Sequence, residues 1–390
     1  MEKPVIYAVL AAAVVVVIVA AYFALPRGGS APASSATTTA SFNNSGVGAG
    51  LNSSTSTISA PATTVVGSTT ETTTVQSNAT NSSKAFGQWV STSSYPLPVY
   101  NQSCVGWHGY IYCVGGQLNQ SFYTSDVYFA NATPAGIGRW MQAMSYPVNI
   151  TGASCSVGGN FIFCVGGMQN GSEVGYGYYA ELSPSGISGW NPAVPYSVPA
   201  AGISCTFVAG YDYCIGGFST SAASVGSDSM VTNYMSGANY ATFNNGTYQF
   251  WLQGRNYPAN TSMTSCVSNN TAMYCMAGTG SQNDYFSIVN LSNGYNSPWI
   301  ASGTYPLPAY GPSCAAGAGT VYCIGGYESG NYSISNSYYA TINGRGFGPW
   351  ISGTKYPQPG LYDGSCAIAG SYIYCVGGIG QFGGVYYARI

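Results

Sequence analysis

The chain has 390 residues and a formal net charge of −2, and only 5% of its residues are charged. That fraction lies far below the roughly 25% of an ordinary soluble domain. Because there is neither a net positive charge nor a local cluster of Lys and Arg, the sequence offers no electrostatic footprint for a polyanion, and we do not expect nucleic acid as a partner.

The first element is an apolar segment of 21 residues, from Val5 to Leu25. As a helix it would be about 32 Å long, enough to cross a hydrocarbon core of about 30 Å. A cleaved signal peptide is the alternative, but the nearest A-x-A match, Ala31-Pro32-Ala33, lies well beyond the apolar run. We therefore predict a transmembrane signal-anchor at 5–25, a short cytoplasmic end at 1–4, and a single-pass cell-membrane protein whose C-terminal domain is extracellular.

Residues 26–84 are dominated by Ser, Thr, Ala, Gly and Asn. They contain too few apolar side chains to offset the entropy lost on ordering, so we predict a disordered stalk whose role is to provide distance. Fourteen N-x-S/T sequons, from Asn43 to Asn331, indicate an exported glycoprotein, although each sequon alone is a weak pattern.

The rest of the chain, residues 85–390, consists of six repeats of about 50 residues, a period typical of propellers and related arrays. Each repeat contains a sequence such as SCVGWHGYIYCVGG, with two cysteines nine positions apart. A tryptophan precedes each such sequence, at Trp89, Trp140, Trp190, Trp251, Trp299 and Trp350. Both series step by nearly the same intervals, so they belong to one repeat.

Each repeat divides into four short pieces separated by Gly, Pro, Asn and Ser, which is the chemistry of strands and turns. The first piece carries Ser-Cys, and the second ends at a double glycine. The third carries an aromatic pair such as Tyr128-Phe129, and the fourth contains the tryptophan and runs into a Tyr-Pro turn.

This order of residues resembles the Kelch repeat, which has a double glycine after its second strand, a tyrosine in the third and a tryptophan in the fourth. The stretch SDVYFA at 125–130 is especially similar to the third strand of that family. The resemblance covers residues 86–390 and implies an all-β, six-bladed Kelch-like β-propeller. Two departures stand out: Ala277-Gly278 replaces one double glycine, and cysteine pairs are not part of the ordinary family pattern, which suggests a disulfide-stapled extracellular variant.

The two ends of the repeat region complement each other. Trp89 begins the region with a fourth strand that lacks its first three, and the chain stops at VYYARI, a third strand that lacks its fourth. We predict that the GQWV segment completes the last blade and closes the ring, leaving no large open sheet edge at the seam.

The cysteines are expected to form one bridge per blade. If the paired cysteines face each other across a two-residue hairpin, they occupy a non-hydrogen-bonded pair with Cα atoms about 4.5 Å apart, close enough for a disulfide. A zinc site is the alternative, but the chain has one histidine and no C-x2-C. The predicted bridges are Cys104–Cys113, Cys155–Cys164, Cys205–Cys214, Cys266–Cys275, Cys314–Cys323 and Cys366–Cys375.

In propellers of this kind, the loops after the second and fourth strands share one face, called the top face here. The third repeat is longer by about ten residues over 218–239, which is either a binding loop or tolerated length. Aromatic faces with hydroxyl tips suit sugars or protein surfaces. The predicted binding residues of the top face are Phe218, Asp228, Tyr234, Tyr327, Glu328 and Phe382.

No catalytic residues, metal ligands or cofactor are predicted. His108 is the single histidine and falls in a hairpin turn, which argues against a Ser-His-Asp triad and against the two-histidine copper site of the galactose-oxidase relatives of this fold. A glycosidase needs two carboxylates around one bond, for which Asp228 and Glu328 are the only visible candidates. Calcium binding remains open.

We therefore expect a membrane-anchored surface propeller that acts as a binding or adhesion module for glycans, envelope components or other proteins. The alternatives are a structural component of an envelope or surface coat and a secreted carbohydrate-active enzyme. Since the chain has few titratable groups, its stability is expected to vary little with pH.

Overall fold

The computed structural model describes residues 86–390, except for 223–229, 245–246, 280, 329–332 and 358. The predicted cytoplasmic end, anchor and stalk therefore lie outside the described residues. Within the described part of the chain, the secondary structure consists of 32 β-strands and contains no helix.

The strands are short, and they follow the chain in groups that correspond to the repeats. The seam strand and the first two groups are β1 (Val90–Ser91), β2 (Ser103–Trp107), β3 (Tyr110–Val114), β4 (Gln117–Asn119), β5 (Phe122–Tyr123), β6 (Val127–Thr133), β7 (Gly136–Ile137), β8 (Met141–Gln142), β9 (Ser154–Gly158), β10 (Phe161–Val165), β11 (Met168–Gln169), β12 (Ser172–Glu173), β13 (Gly177–Glu181) and β14 (Asn191–Pro192).

The third and fourth groups are β15 (Ser204–Val208), β16 (Tyr211–Ile215), β17 (Phe218–Ala222), β18 (Met230–Tyr234), β19 (Ala238–Asn244), β20 (Thr247–Gln253), β21 (Ser265–Ser268), β22 (Ala272–Met276), β23 (Asn283–Ile288) and β24 (Ile300–Thr304). The last two groups are β25 (Ser313–Gly317), β26 (Thr320–Ile324), β27 (Ser337–Asn343), β28 (Gly346–Phe347), β29 (Ile351–Ser352), β30 (Ser365–Ala369), β31 (Tyr372–Val376) and β32 (Val385–Arg389).

Six antiparallel sheets form the blades, each with four main strands paired in order. Blade 1 is β2-β3-β6-β8, blade 2 is β9-β10-β13-β14, blade 3 is β15-β16-β19-β20, blade 4 is β21-β22-β23-β24, blade 5 is β25-β26-β27-β29, and blade 6 is β30-β31-β32-β1. The short pairs β4-β5, β11-β12 and β17-β18 are hairpins within the loops after the second strands. The tryptophan stands just before the fourth strand and lies inside it only in blade 3.

The blades close into a ring. The first strand of each blade contacts the first strand of the next, from β2 through β9, β15, β21, β25 and β30 back to β2. First strands therefore surround a central axis, and the fourth strands form the outer wall. The predicted six-bladed all-β propeller is confirmed.

The seam lies in blade 6, as predicted. Val90 pairs with Tyr387 and Ser91 with Tyr386, so the first described strand completes the sheet that contains the last one. The Gly87 N–H also donates to the Arg389 carbonyl at 2.8 Å. The ends of the repeat region thus share one sheet.

All six predicted disulfides are present, with Cα–Cα distances of 4.0 to 4.1 Å. Each joins the first two strands of one blade, and no cysteine is free. In blade 1 the register pairs Trp107 with Tyr110, so the turn falls on His108-Gly109. Both turn residues have positive φ, 42° and 82°, as such tight hairpins require.

At five of the six interfaces, the serine before the first cysteine connects neighbouring blades, a role that was not predicted. Its hydroxyl oxygen accepts a hydrogen bond from the N–H of the first cysteine in the next blade. Five of these bonds are present, each 2.7 to 3.0 Å long: Cys155 to Ser103, Cys205 to Ser154, Cys266 to Ser204, Cys366 to Ser313 and Cys104 to Ser365.

A tyrosine–tryptophan contact also recurs at every interface between blades. The tyrosine of each Tyr-Pro turn, or of the equivalent Tyr196-Ser197 turn, is at most 5% exposed. It packs edge-on against the tryptophan of the next blade, with ring centroids 4.9 to 5.1 Å apart. Such pairs contribute about 0.5–1.5 kcal/mol beyond area burial. The six pairs are Tyr95–Trp140, Tyr146–Trp190, Tyr196–Trp251, Tyr257–Trp299, Tyr305–Trp350 and Tyr356–Trp89.

Candidate functional site

The inner rim of the top face is formed by a backbone contact that recurs in all six blades. The residue after each Gly-Gly or Ala-Gly pair bonds to the residue four positions before the first cysteine. At Gly116, with φ of 111°, a Cβ would lie 2.3 Å from the Val99 side chain, so only glycine leaves room for this contact. The rim pairs are Tyr100–Gln117, Thr151–Met168, Ala201–Phe218, Ser262–Thr279, Tyr310–Tyr327 and Tyr362–Ile379.

Half of this rim is aromatic. Tyr310 lies 6.4 Å from Tyr327, and Tyr327 lies 5.2 Å from Tyr362, with both pairs tilted by little more than 30°. Tyr100 meets Phe382 edge-on at 6.3 Å. These five residues, here called the aromatic arc, belong to the top-face loops of blades 5 and 6 and to the loop that enters blade 1. The tyrosines are half-buried, and Phe382 is 53% exposed.

In the other half of the rim, the residue four positions before the first cysteine has a small side chain. Thr151, Ala201 and Ser262 occupy the positions that hold tyrosine in the arc. The longer third repeat rises beside them as the β17–β18 hairpin, whose Met230 is 62% exposed. The top face is therefore asymmetric, with five aromatic side chains clustered in one half and Phe218 as the aromatic rim residue of the other.

The structure separates the predicted binding residues. Phe218 and Tyr234 face each other across the β17–β18 hairpin in blade 3. Tyr327 and Phe382 belong to the aromatic arc, and Glu328 follows Tyr327. Asp228 lies outside the described residues, so its suggested meeting with Glu328 stays a prediction.

Sequence reasoning missed Tyr100, Tyr310 and Tyr362, which supply the larger part of the arc. A signal was present: these tyrosines stand four positions before the first cysteine in three repeats that are consecutive around the ring. What the pattern could not indicate was their contact with residues of a different loop.

Next to the rim residues, six top-face positions form a ring around the axis, and backbone hydrogen bonds join four of its neighbouring pairs. The residue three positions before the first cysteine has positive φ in every repeat: Asn101, Gly152, Gly202, Met263, Gly311 and Asp363. Backbone N–H groups link these loops from blade to blade, for example Asn101 to the Asp363 carbonyl at 2.7 Å and Gly311 to the Met263 carbonyl at 2.8 Å. Neighbouring top-face loops are thus held in fixed relation.

Asp363 brings a carboxyl group to this ring beside the arc. Burial raises the pKa of Asp363 to about 7. The pKa of Tyr100 is raised too, first by burial and then by the nearby charge of Asp363.

Two other carboxyl groups are fully buried and serve the fold. Asp212 is 0% exposed and accepts hydrogen bonds of 2.7 Å from the hydroxyls of Ser156 and Tyr248. Asp284 is 0% exposed and accepts the indole N–H of Trp350 at 2.7 Å. Burial raises the pKa of each to about 7. Neither carboxyl group reaches a surface where it could meet a substrate.

Within the described ranges, no three His, Cys, Asp or Glu side chains are grouped so that they could hold a metal ion. The same part of the chain contains no helix with the length and apolar character needed to cross a membrane. No protein-family model matches the chain, and no curated protein is detectably similar to it in sequence.

Proposed function

We propose that the protein is a cell-surface binding module that recognises glycans through the aromatic arc. In this proposal, residues 5–25 anchor it in the membrane, residues 26–84 hold the propeller away from the bilayer, and the top face meets the ligand without catalysis. We also propose that the propeller is of the Kelch type, on the strength of its double glycines, third-strand aromatics and tryptophans.

The arc is the single observation that carries the glycan proposal. Sugar rings present flat patches of C–H groups that pack on aromatic faces, while their hydroxyls need polar partners nearby. The arc supplies the faces, and its phenol groups supply polar atoms. Its loops are held in place by the rim and ring bonds, so little ordering entropy is lost on binding.

The disulfides support an extracellular setting. Structural disulfides persist in oxidising compartments and are rare where thiols are kept reduced. A propeller with a bridge in each of six blades therefore suits the outside of a cell.

Screening the full-length protein in detergent on a glycan array tests this proposal. We expect one family of glycans to bind and the variants Tyr327→Ala, Tyr362→Ala and Phe382→Ala to weaken binding about tenfold each, equivalent to about 1.4 kcal/mol. The matched control is Phe250→Ala, because Phe250 is 75% exposed but lies on the outer strand of blade 3, away from the arc.

Two outcomes would overturn the proposal. If the arc variants and the Phe250→Ala control bind equally well, the arc is not the site. If no glycan binds and the protein instead self-associates, the alternative of a structural surface-coat component is favoured.

A further inference from the structure

A polar cleft of about 590 Å³ lies at the outer edge of blades 3 and 4, away from the aromatic arc. One side is lined by Gln253, at the end of the fourth strand of blade 3, and by Arg255 and Asn256, which follow that strand. The other side is lined by Tyr295 and Trp299, which precede the fourth strand of blade 4. Its volume falls within the roughly 300–1,000 Å³ of small-molecule sites.

The cleft is specific to this interface. In the other repeats that can be compared, the tryptophan follows the second aromatic of the third strand by 11 positions, as from Phe129 to Trp140, but from Phe286 to Trp299 the interval is 13. The longer loop supplies Tyr295. The position of Arg255, four after the tryptophan of blade 3, is held elsewhere by Ser93, Met144, Val194, Gly303 and Thr354.

The backbone of Arg255 is held by three hydrogen bonds. Its N–H donates to the Asn296 side-chain oxygen at 2.7 Å, and its carbonyl accepts from Trp299 Nε1 at 2.9 Å and from Asn296 Nδ2 at 3.4 Å. Asn296 is 1% exposed. The chain passes close to Asn296 at the preceding residue, Gly254, because a Cβ there would lie 2.5 Å from the Asn296 side-chain oxygen.

The longer loop is also held against blade 3. The Tyr213 hydroxyl donates to the Gly294 carbonyl. Gly294 has φ of 73°, and a Cβ there would lie 2.4 Å from the Tyr211 ring. Tyr295 is therefore positioned next to Arg255, whose guanidinium carbon sits 5.4 Å from the centre of the Tyr295 ring.

The cationic group of this cleft is available to a ligand. Arg255 is exposed, and in the part of the chain that the structure describes it forms no ion pair. A guanidinium whose backbone is fixed and whose plane can rest on an aromatic ring is well suited to bind a carboxylate through two parallel hydrogen bonds. The Gln253 and Asn256 amides can bond sugar hydroxyls, and Tyr295, 41% exposed, offers ring surface.

We propose that this cleft binds acidic sugars, with Arg255 holding the carboxylate of a uronic acid. The cleft is separate from the aromatic arc, so this proposal can be tested independently of the function proposed for the top face. Its ligand class differs too, because the arc contains no basic side chain.

Calorimetric titration of the full-length protein in detergent with a galacturonic acid trisaccharide tests the proposal. The same trisaccharide with its carboxyl groups reduced to alcohols is the matched ligand. We expect saturable binding of the acid, at least about tenfold weaker binding of the reduced form, and a similar loss in Arg255→Gln, as for the removal of a charge-assisted bidentate contact. Arg255→Lys keeps the positive charge but loses the planar pair of N–H donors, so its affinity for the acid should fall by an intermediate factor.

Arg345→Gln is the matched control, because Arg345 is an exposed arginine in the turn between β27 and β28 of blade 5 and does not line the cleft. Its affinity should stay within about twofold of the wild type, and so should that of Tyr362→Ala in the arc. Equal losses in Arg345→Gln and Arg255→Gln would reveal only general charge attraction and overturn the proposal. Equal binding of the acidic and reduced sugars, or no saturable binding, would overturn it as well.

Discussion

Asp212 shows how a single residue determines the response of the fold to pH. Its carboxyl group is fully buried beside hydroxyl donors and has no cation partner among the described residues. Burial disfavours the ionised form and raises its pKa to about 7, and Asp284 follows the same rule. The small number of charged residues in the sequence predicted that stability would vary little with pH. A buried carboxyl group, however, changes the pH dependence of stability more than many exposed ones do.

The free energy of unfolding should therefore be highest in mild acid. In the unfolded chain an aspartate has a pKa of about 3.9, so between pH 4 and 7 the folded state binds more protons than the unfolded state. Stability is fully present below about pH 4 and declines as the pH rises towards 7. For a shift of this size, the change per buried carboxyl group is at most about 4 kcal/mol.

Thermal unfolding of the full chain from pH 4 to pH 8 measures this trend. Asp212→Asn keeps the shape and the hydrogen-bonding capacity of the side chain but removes its titration, so its melting temperature should depend less steeply on pH than that of the wild type. Asp212→Asn with Asp284→Asn should flatten the curve further. A wild-type melting temperature that rises from pH 4 to 7 would contradict the expectation.

At the scale of elements, two kinds of contact recur between neighbouring blades. Near the axis, a serine hydroxyl accepts a cysteine N–H from the next blade, a contact that contributes about 0.5–1.5 kcal/mol net. Near the outer wall, the tyrosine packs against the next tryptophan. At five interfaces the indole N–H of that tryptophan donates to a backbone carbonyl of the previous blade, as from Trp190 to Met144 at 3.1 Å, and at the sixth Trp350 donates to the Asp284 carboxyl group. Five of the six interfaces are thus stabilised by these contacts at both their inner and outer ends.

The seam strand depends on these contacts more than on its two residue pairs. Trp89 packs on Tyr356 and donates to the Thr354 carbonyl at 3.0 Å, and Phe86 is 6% exposed in the core of blades 5 and 6. Deleting residues 85–95 removes all of these contacts. We expect a loss of more than about 3–5 kcal/mol, the cost of truncating one large buried aromatic.

Denaturant unfolding of the two full-chain deletions checks this prediction. Deleting residues 45–55, in the predicted stalk, is the control of equal length and should leave the midpoint unchanged. Similar midpoints for the two deletions would show that the closing strand contributes little to stability.

At the scale of the whole molecule, the features predicted from the sequence were those encoded within one repeat. Paired cysteines nine positions apart, double glycines and tryptophans predicted the blades, the hairpins and the disulfides, because each depends on contacts within about 50 residues. The seam could be predicted as well, since the two ends carried complementary parts of one repeat.

The contacts between repeats could not be predicted in the same way. Ser103 meets Cys155, and Tyr327 meets Tyr362, only because neighbouring blades are brought together by the ring. A list of exposed aromatics therefore included Tyr327 and Phe382 but missed Tyr100, Tyr310 and Tyr362. The cleft around Arg255 was missed for the same reason, since its lining residues come from two repeats.

The predicted membrane anchor can be checked on intact cells. If residues 5–25 are retained, the mass of the membrane-purified protein includes the N-terminal segment, and protease added outside the cells releases the propeller by cutting within 26–84. Release should leave the propeller folded, because each blade is a packed unit with its own disulfide. A mature chain that starts after Ala33 would indicate a cleaved signal peptide instead.

The position of the seam has a mechanical consequence. Force reaching Phe86 from the N-terminal side loads β1 first. The ladder between β1 and β32 is short, with two residue pairs and flanking backbone bonds from Gly87 to Arg389 and from Thr92 to Val385. Every disulfide lies within a hairpin of a single blade, so none of them resists separation of β1 from its neighbour. Under tension we expect β1 to separate from β32 first. The disulfide-linked hairpins should stay folded, so that β1 can pair with β32 again when the force is removed.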